Sequence, residues 1–160
     1  MTGQGSIGEF APAMFILFVI VFLPLIGLLT FVDGAATLYF ATAQAARAAG
    51  PSNTEANAVA NMNAAADTLL GGPLGAFARL SPADHTGMSL TVLEVSIANQ
   101  TTSNYNPLNG APDTTKNFYE FQVTSNYTCA PFFFPGKPIP LSFSSSCNVE
   151  HPEGLTVTAP

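Results

Sequence analysis

The chain has 160 residues and a net charge of −6, with 9% charged residues against 48% hydrophobic ones. An ordinary soluble domain is about one quarter charged, so much of this surface is expected to meet lipid or other protein. The basic residues are only four, Arg47, Arg79, Lys116 and Lys137, and their scatter excludes a nucleic-acid partner, which needs clustered cations to displace counterions.

Residues 1–9, which the resemblance described below implies to be a short leader and cleavage region, end in a carboxylate, Glu9. From Phe10 to Val32 run 23 residues without a charge. As a helix they extend about 34 Å, enough to cross a bilayer core. A secretory signal fits poorly, because the run is too long and no basic residue precedes it. Pro12 is tolerated in the first turns, whereas Pro24 removes a hydrogen bond and crowds the preceding turn, so a bend is expected there.

Glu9 has two readings. It either favours the helix dipole while staying hydrated, or it is buried between helices and pairs with a cation. With no Lys or Arg nearby, the cation at hand is an α-amino group.

Beyond Val32, "DGAATLYFATAQAARAAG" continues the helix to about Ala49 and stays rich in small residues. Gly27, Gly34, Ala35 and Ala36 are therefore candidates for helix–helix packing between subunits. Residues 10–49 form the transmembrane and stalk helix, and residues 50–160 the head. Arg47, read alone, would hold the head on the cytoplasmic side. Long domains translocate largely regardless of such charges, and the cysteine pair described below suits an oxidising exterior, so the head is expected outside the cytoplasm.

Gly50 and Pro51 stop the helix, and Ser52 or Asn53 is expected to cap a second one through about Leu70. Ala58, Val59, Met62, Ala66, Leu69 and Leu70 recur on it at helical spacing, an apolar stripe that a sheet is expected to cover. "MSLTVLEVSIA" alternates as a strand, and "NQTTSNYNPLNGAPDTTKN" is expected to be a 19-residue loop at an exposed tip.

In "FYEFQVTSNYTC" the period of two places Tyr119, Phe121 and Val123 on the core face. "LSFSSSCNVE" follows as a further strand, and "LTVTA" as an edge strand. Between them "PFFFPG" either fills core beside the helix stripe or forms an exposed patch. Cys129 and Cys147, 18 positions apart with no further Cys or His pair to complete a zinc site, are expected to form a disulfide between the long strands or across their connection. The fold class is thus α+β: a long hydrophobic N-terminal helix, a second helix and a small antiparallel sheet.

Nothing in the sequence carries catalysis. Ser81, Asp84 and His85 crowd a Pro-bearing turn, and His151 stands between Glu150 and Glu153, but neither cluster makes a triad or a metal site. No cofactor motif occurs, and the chain is expected not to be an enzyme.

Three stretches carry a resemblance. "SIGEFAPAMF" after Gly3 or Gly5, "LYFATAQAARAAG" at residues 38–50, and "YEFQVTSNYTCAPFFFPGKPIPLSFSSSCNVEHP" near the end together resemble the TadE-like pseudopilins of tight-adherence (Tad) pilus systems, within the type IV pilin-like proteins. That resemblance implies cleavage of a leader after Gly by a prepilin peptidase. It implies that Glu9 meets the new α-amino group, and that the chain is a minor subunit assembling with other pilins on an inner-membrane platform. The family places its Glu fifth after the cut, whereas cutting after Gly5 makes Glu9 fourth and cutting after Gly3 makes it sixth. The other expectations from the sequence are an uncleaved, single-pass binding module of the envelope and a major filament subunit.

Overall fold

The computed structural model describes residues 5–84, 87–106, 111–131 and 138–155, with side chains from Phe10 onward. It is α+β. A helical rod runs as α1 (Gly5–Leu17), a π-helical turn (Phe18–Phe22) and α2 (Leu23–Ala49), followed by α3 (Glu55–Leu70) and the short α4 (Pro73–Ala78). Five strands follow: β1 (Leu80–Pro82), β2 (Met88–Ser96), β3 (Thr102–Asn104), β4 (Asn117–Cys129) and β5 (Ile139–Asn148). A 3-10 turn, Pro152–Gly154, comes after them.

Where a bend is expected at Pro24, the structure has a π turn just ahead of that residue. Pro24 offers no N–H and its ring crowds the carbonyl four residues back, so the backbone widens just ahead of it and Leu23 N–H donates to the Phe18 carbonyl. The cap of α3 is Thr54, not Ser52 or Asn53. Thr54 is extended, and its side chain accepts from the Asn57 N–H at 3.2 Å. Ser52 instead turns inward and its hydroxyl accepts from Asn61 Nδ2 at 3.0 Å.

β4 organises the sheet. One edge pairs antiparallel with β2 over Asn117–Ser125 and then with β1 over Tyr127–Cys129, and the other edge pairs with β5 over Glu120–Cys129. β3 adds a rim to β2. The expected inward face is present and extends one step further, with Tyr119, Phe121, Val123 and Ser125 all buried.

Two strands share one edge of β4, so the chain must leave it after β1 and return for β2. Asn126 spans the gap: its carbonyl accepts from the Ala83 N–H at 2.9 Å, and its N–H donates to the Gly87 carbonyl at 2.8 Å. Gly87 sits at φ 64°, a backbone state natural to glycine, and its N–H donates to Asp84 Oδ1. Asp84 is thus a turn former. His85 lies outside the described residues.

The long loop expected over residues 99–117 contains β3, which the sequence does not signal. Its hairpin turns on Gln100 at φ 55° and on Asn99 Oδ1, which accepts from the Thr101 N–H, so no glycine marks it. The "PFFFPG" connection and the "LTVTA" strand after Leu155 fall outside the described residues.

One face of the sheet carries α2 and α3, and the stripe on α3 is covered by α2 and the sheet together. One core cluster joins Leu38, Ala41, Ala45 and Ala46 of α2 with Met62 and Ala66 of α3 and with Met88 and Val123 of the sheet. A second joins Ala49, Ala58, Val92, Tyr119, Phe121 and Leu155.

Replacing Gly87 with Ala is expected to destabilise the head by about 1–2 kcal/mol from the left-handed backbone alone. More is lost to contact, since the new Cβ would stand 2.6 Å from the Tyr127 hydroxyl oxygen. Urea unfolding of the detergent-solubilised chain measures the difference against wild type.

Candidate functional site: the bare stalk and its seam with the head

From Phe10 to Val32 nearly every large apolar side chain is exposed, with Leu23 and Phe31 half-buried. The rod from Phe10 to Ala49, 40 residues, is long and apolar enough to cross a membrane. Burying this much hydrocarbon surface in water's place is what a bilayer or a bundle of like helices offers. Glu9 and Gly5 lie within α1. Gly3 and the Glu9 side chain are outside the described residues, so the pairing of that carboxylate is untouched by the geometry.

The second half of the rod is built differently. Gly34, Thr37, Leu38, Ala41, Thr42, Ala45, Ala46 and Ala49 of α2 are buried by the head. α2 runs antiparallel to β4 and in step with it. A Cβ added to Gly34 would meet Cys129 Sγ at 3.2 Å and Ala78 Cβ at 3.3 Å. Eight residues later Thr42 Oγ1 bonds Ser125 Oγ at 2.8 Å. Eight residues further, a Cβ on Gly50 would stand 2.8 Å from Cys147 Sγ, and Cys147 faces Phe121 across the ladder. The helix climbs about 24 Å over that stretch while the strand descends about 27 Å, which is why contacts recur every eight helical and four strand residues.

The small residues expected to pack against other subunits are therefore divided. Gly34 is taken by the chain's own head, and Gly27 is buried too. Ala35 is half-buried, and Ala36 is exposed. Thr42 Oγ1 also lies 2.7 Å from the Leu38 carbonyl oxygen, so its one proton is shared between that oxygen and Ser125 Oγ, while the Ser125 hydroxyl donates to the Phe143 carbonyl. The sequence hinted at this hydroxyl pair only by a Ser in the inward phase of β4.

The cysteine expectation is corrected. Cys129 and Cys147 are free thiols. In the β4–β5 ladder Cys129 faces Ile139 and Cys147 faces Phe121, so eight residues of strand separate them. That is about 27 Å, against the roughly 7 Å limit between Cα atoms of a disulfide. The antiparallel register sends the two in opposite directions from the connection. Cys129 is wholly buried, donates to the Ala78 carbonyl at 3.2 Å, and has its thiol pushed up first by burial and then by the Asp33 carboxylate. With the bridge gone, the thiols no longer argue for an oxidising exterior.

Asp33 is the first charge past the apolar span, and its buried Oδ2 has no hydrogen-bond partner among the described residues. At the far end of the head, Glu94 Oε1 accepts from Asn117 Nδ2 and from the Tyr119 hydroxyl, which in turn accepts from the Asp113 N–H. Burial pushes the Tyr119 phenol up. Asp113 itself is held down to about 2, first by the hydrogen bond from the Thr115 hydroxyl and then by Lys116. These contacts organise the turn into β4. His151 Nδ1 meets Glu153 at 3.1 Å and in the open, and among the described residues no three His, Cys, Asp or Glu gather as a metal site. An open groove of about 470 Å³, lined by Phe40, Gln44, Ala65, Thr68 and Leu69, runs between α2 and α3.

No family model matches this chain, and neither a curated protein nor a solved structure is significantly similar to it.

Alkylation of the native protein is expected to modify Cys147, which is half-exposed, at least about tenfold faster than Cys129, which reacts only on unfolding. Intact mass of the denatured, alkylated chain without reductant is expected to show two labels; none would restore the disulfide. Gly50→Ala is expected to cost about 1–3 kcal/mol by overpacking. Adding Cys147→Ala should recover part of this, because the nearest obstruction is the Cys147 sulfur.

Proposed function

We propose that the chain is a TadE-like minor pseudopilin, a structural subunit that helps assemble or extend a Tad-type pilus. The observation that carries the reading is the two-part rod: a continuous helical stretch from Gly5 to Ala49 whose first half is bare and whose second half is the central helix of the head. Such a subunit stores its apolar stalk in lipid and then exchanges lipid for the stalks of neighbouring subunits, while the head stays in water.

Glu9 supplies the selectivity. An unpaired carboxylate in the membrane costs about 2.5–3.5 kcal/mol, so arrangements in which it meets a neighbour's α-amino group are favoured over those that strand it. Of the two candidate cleavage bonds, the one after Gly5 falls within α1, so cutting there requires that part of the helix to open. The head lies outside the cytoplasm in this reading because pilus subunits are drawn outward. Its partners are the prepilin peptidase, the inner-membrane platform and other pilins, and it works by packing instead of catalysis.

Intact mass and N-terminal sequencing, comparing membranes with material sheared from cells, test the proposal. A new N-terminus after Gly3 or Gly5 in the sheared fraction is expected. Glu9→Gln is expected to deplete that fraction several-fold at unchanged membrane level. Retention of Met1, with the protein confined to membranes, would replace the pseudopilin by a single-pass anchored module.

A further inference from the structure

We infer that the base of the head is seated on the lipid surface, so that the chain carries a second membrane contact beside its helix. The inference rests on the membrane-spanning reading of the stalk and concerns where the head stands relative to it. The last residue of the uncharged run is Val32, and the head is already in contact at Gly34, whose Cα hydrogen points at Cys129 and Ala78. Two helical residues rise only about 3 Å. No spacer separates the head from the bilayer.

The end of the head that meets Gly34 comprises α4, β1 and the ends of β4 and β5, because Leu80 and Ile139 flank Cys129 on either side. This end exposes hydrocarbon: Leu74 on α4 is 58% exposed and Ile139 is 38% exposed. Arg79, exposed at the close of α4, brings a cation to the same level, the composition that suits the boundary between acyl chains and phosphate headgroups. The opposite end of the sheet, at Ile97 and Asn117, lies about 40 Å away along β4, and it exposes Ile97 and Phe118 beside the polar Asp113–Lys116 turn. Exposed hydrocarbon is thus present at both ends, and it is the contact of α4 and β4 with Gly34, two residues past the uncharged run, that puts Leu74 and Ile139 at the level of the lipid surface. Continuity with the stalk selects lipid over a second protein as the occupant.

The chain contains no tryptophan, so single reporters can be placed in the full-length protein reconstituted in phosphatidylcholine vesicles. Leu74→Trp and Ile139→Trp, on separate elements so that one survives if the other misfolds, are expected to be quenched several-fold more by lipids brominated near the headgroup than by lipids brominated at the chain end. Phe22→Trp in the span should show the reverse preference, and Ile97→Trp should respond to neither. If both base reporters behave like Ile97→Trp while Phe22→Trp is quenched, the head stands clear of the bilayer and the inference fails while the span remains. If Phe22→Trp is also unquenched, the span itself is wrong and the seat falls with it. Base reporters shielded from aqueous iodide yet unquenched by any bromolipid would assign the surface to a protein partner and overturn the lipid contact.

Discussion

The rest of the molecule is arranged around the close, stepwise seating of β4 against α2. A helix that must be bare and apolar along its first 23 uncharged residues becomes, without a break, the centre of a small hydrophobic core. A core helix with bulky side chains on that face would hold the sheet off, and a long strand would then meet it only at intervals. Gly34, Ala41, Ala45, Ala46, Ala49 and Gly50 remove the bulk, so Phe121 and Val123 reach the helix from the other side. The volume missing from α2 is returned by β4, which keeps the interior close-packed.

That economy has consequences for assembly. Small residues on a stalk helix invite helix–helix packing, but most of those beyond Thr30 are already committed inside the subunit. The exposed surface of the helix is the apolar span, together with positions such as Ala36, Tyr39 and Phe40 on the outer side of α2. On the proposed pilin reading, a subunit built this way would join others through its stalk while its head remains a self-contained unit. The free thiols agree with that self-sufficiency: the head is held by a packed core and a hydroxyl pair at its centre, without a covalent tie.

The end of the head that meets Gly34 and the Asp113–Lys116 turn lie at opposite ends of the same sheet. Since α2 and β4 run antiparallel, the strand end nearest Gly34 and the apolar span is the C-terminal end of β4, and the end farthest from it is the turn that leads into β4.

Length, charge and period were enough to read the span from Phe10 to Val32, the disturbance ahead of Pro24, the apolar stripe of α3 and the inward face of β4, because each depends on side chains that are neighbours in the chain. β1 and β3, three residues each, have no period to display and exist because an already formed strand offers them an edge. The separation of Cys129 from Cys147 follows from an antiparallel ladder whose register carries them apart, and sequence spacing does not reveal the register. Gly34 and Gly50 read locally as a packing surface and a helix stop. Only the tertiary structure made them the two points where a sulfur atom of the sheet presses on the helix, since the match between a 1.5 Å helical rise and a strand rise of about 3.4 Å exists only once the two lie side by side.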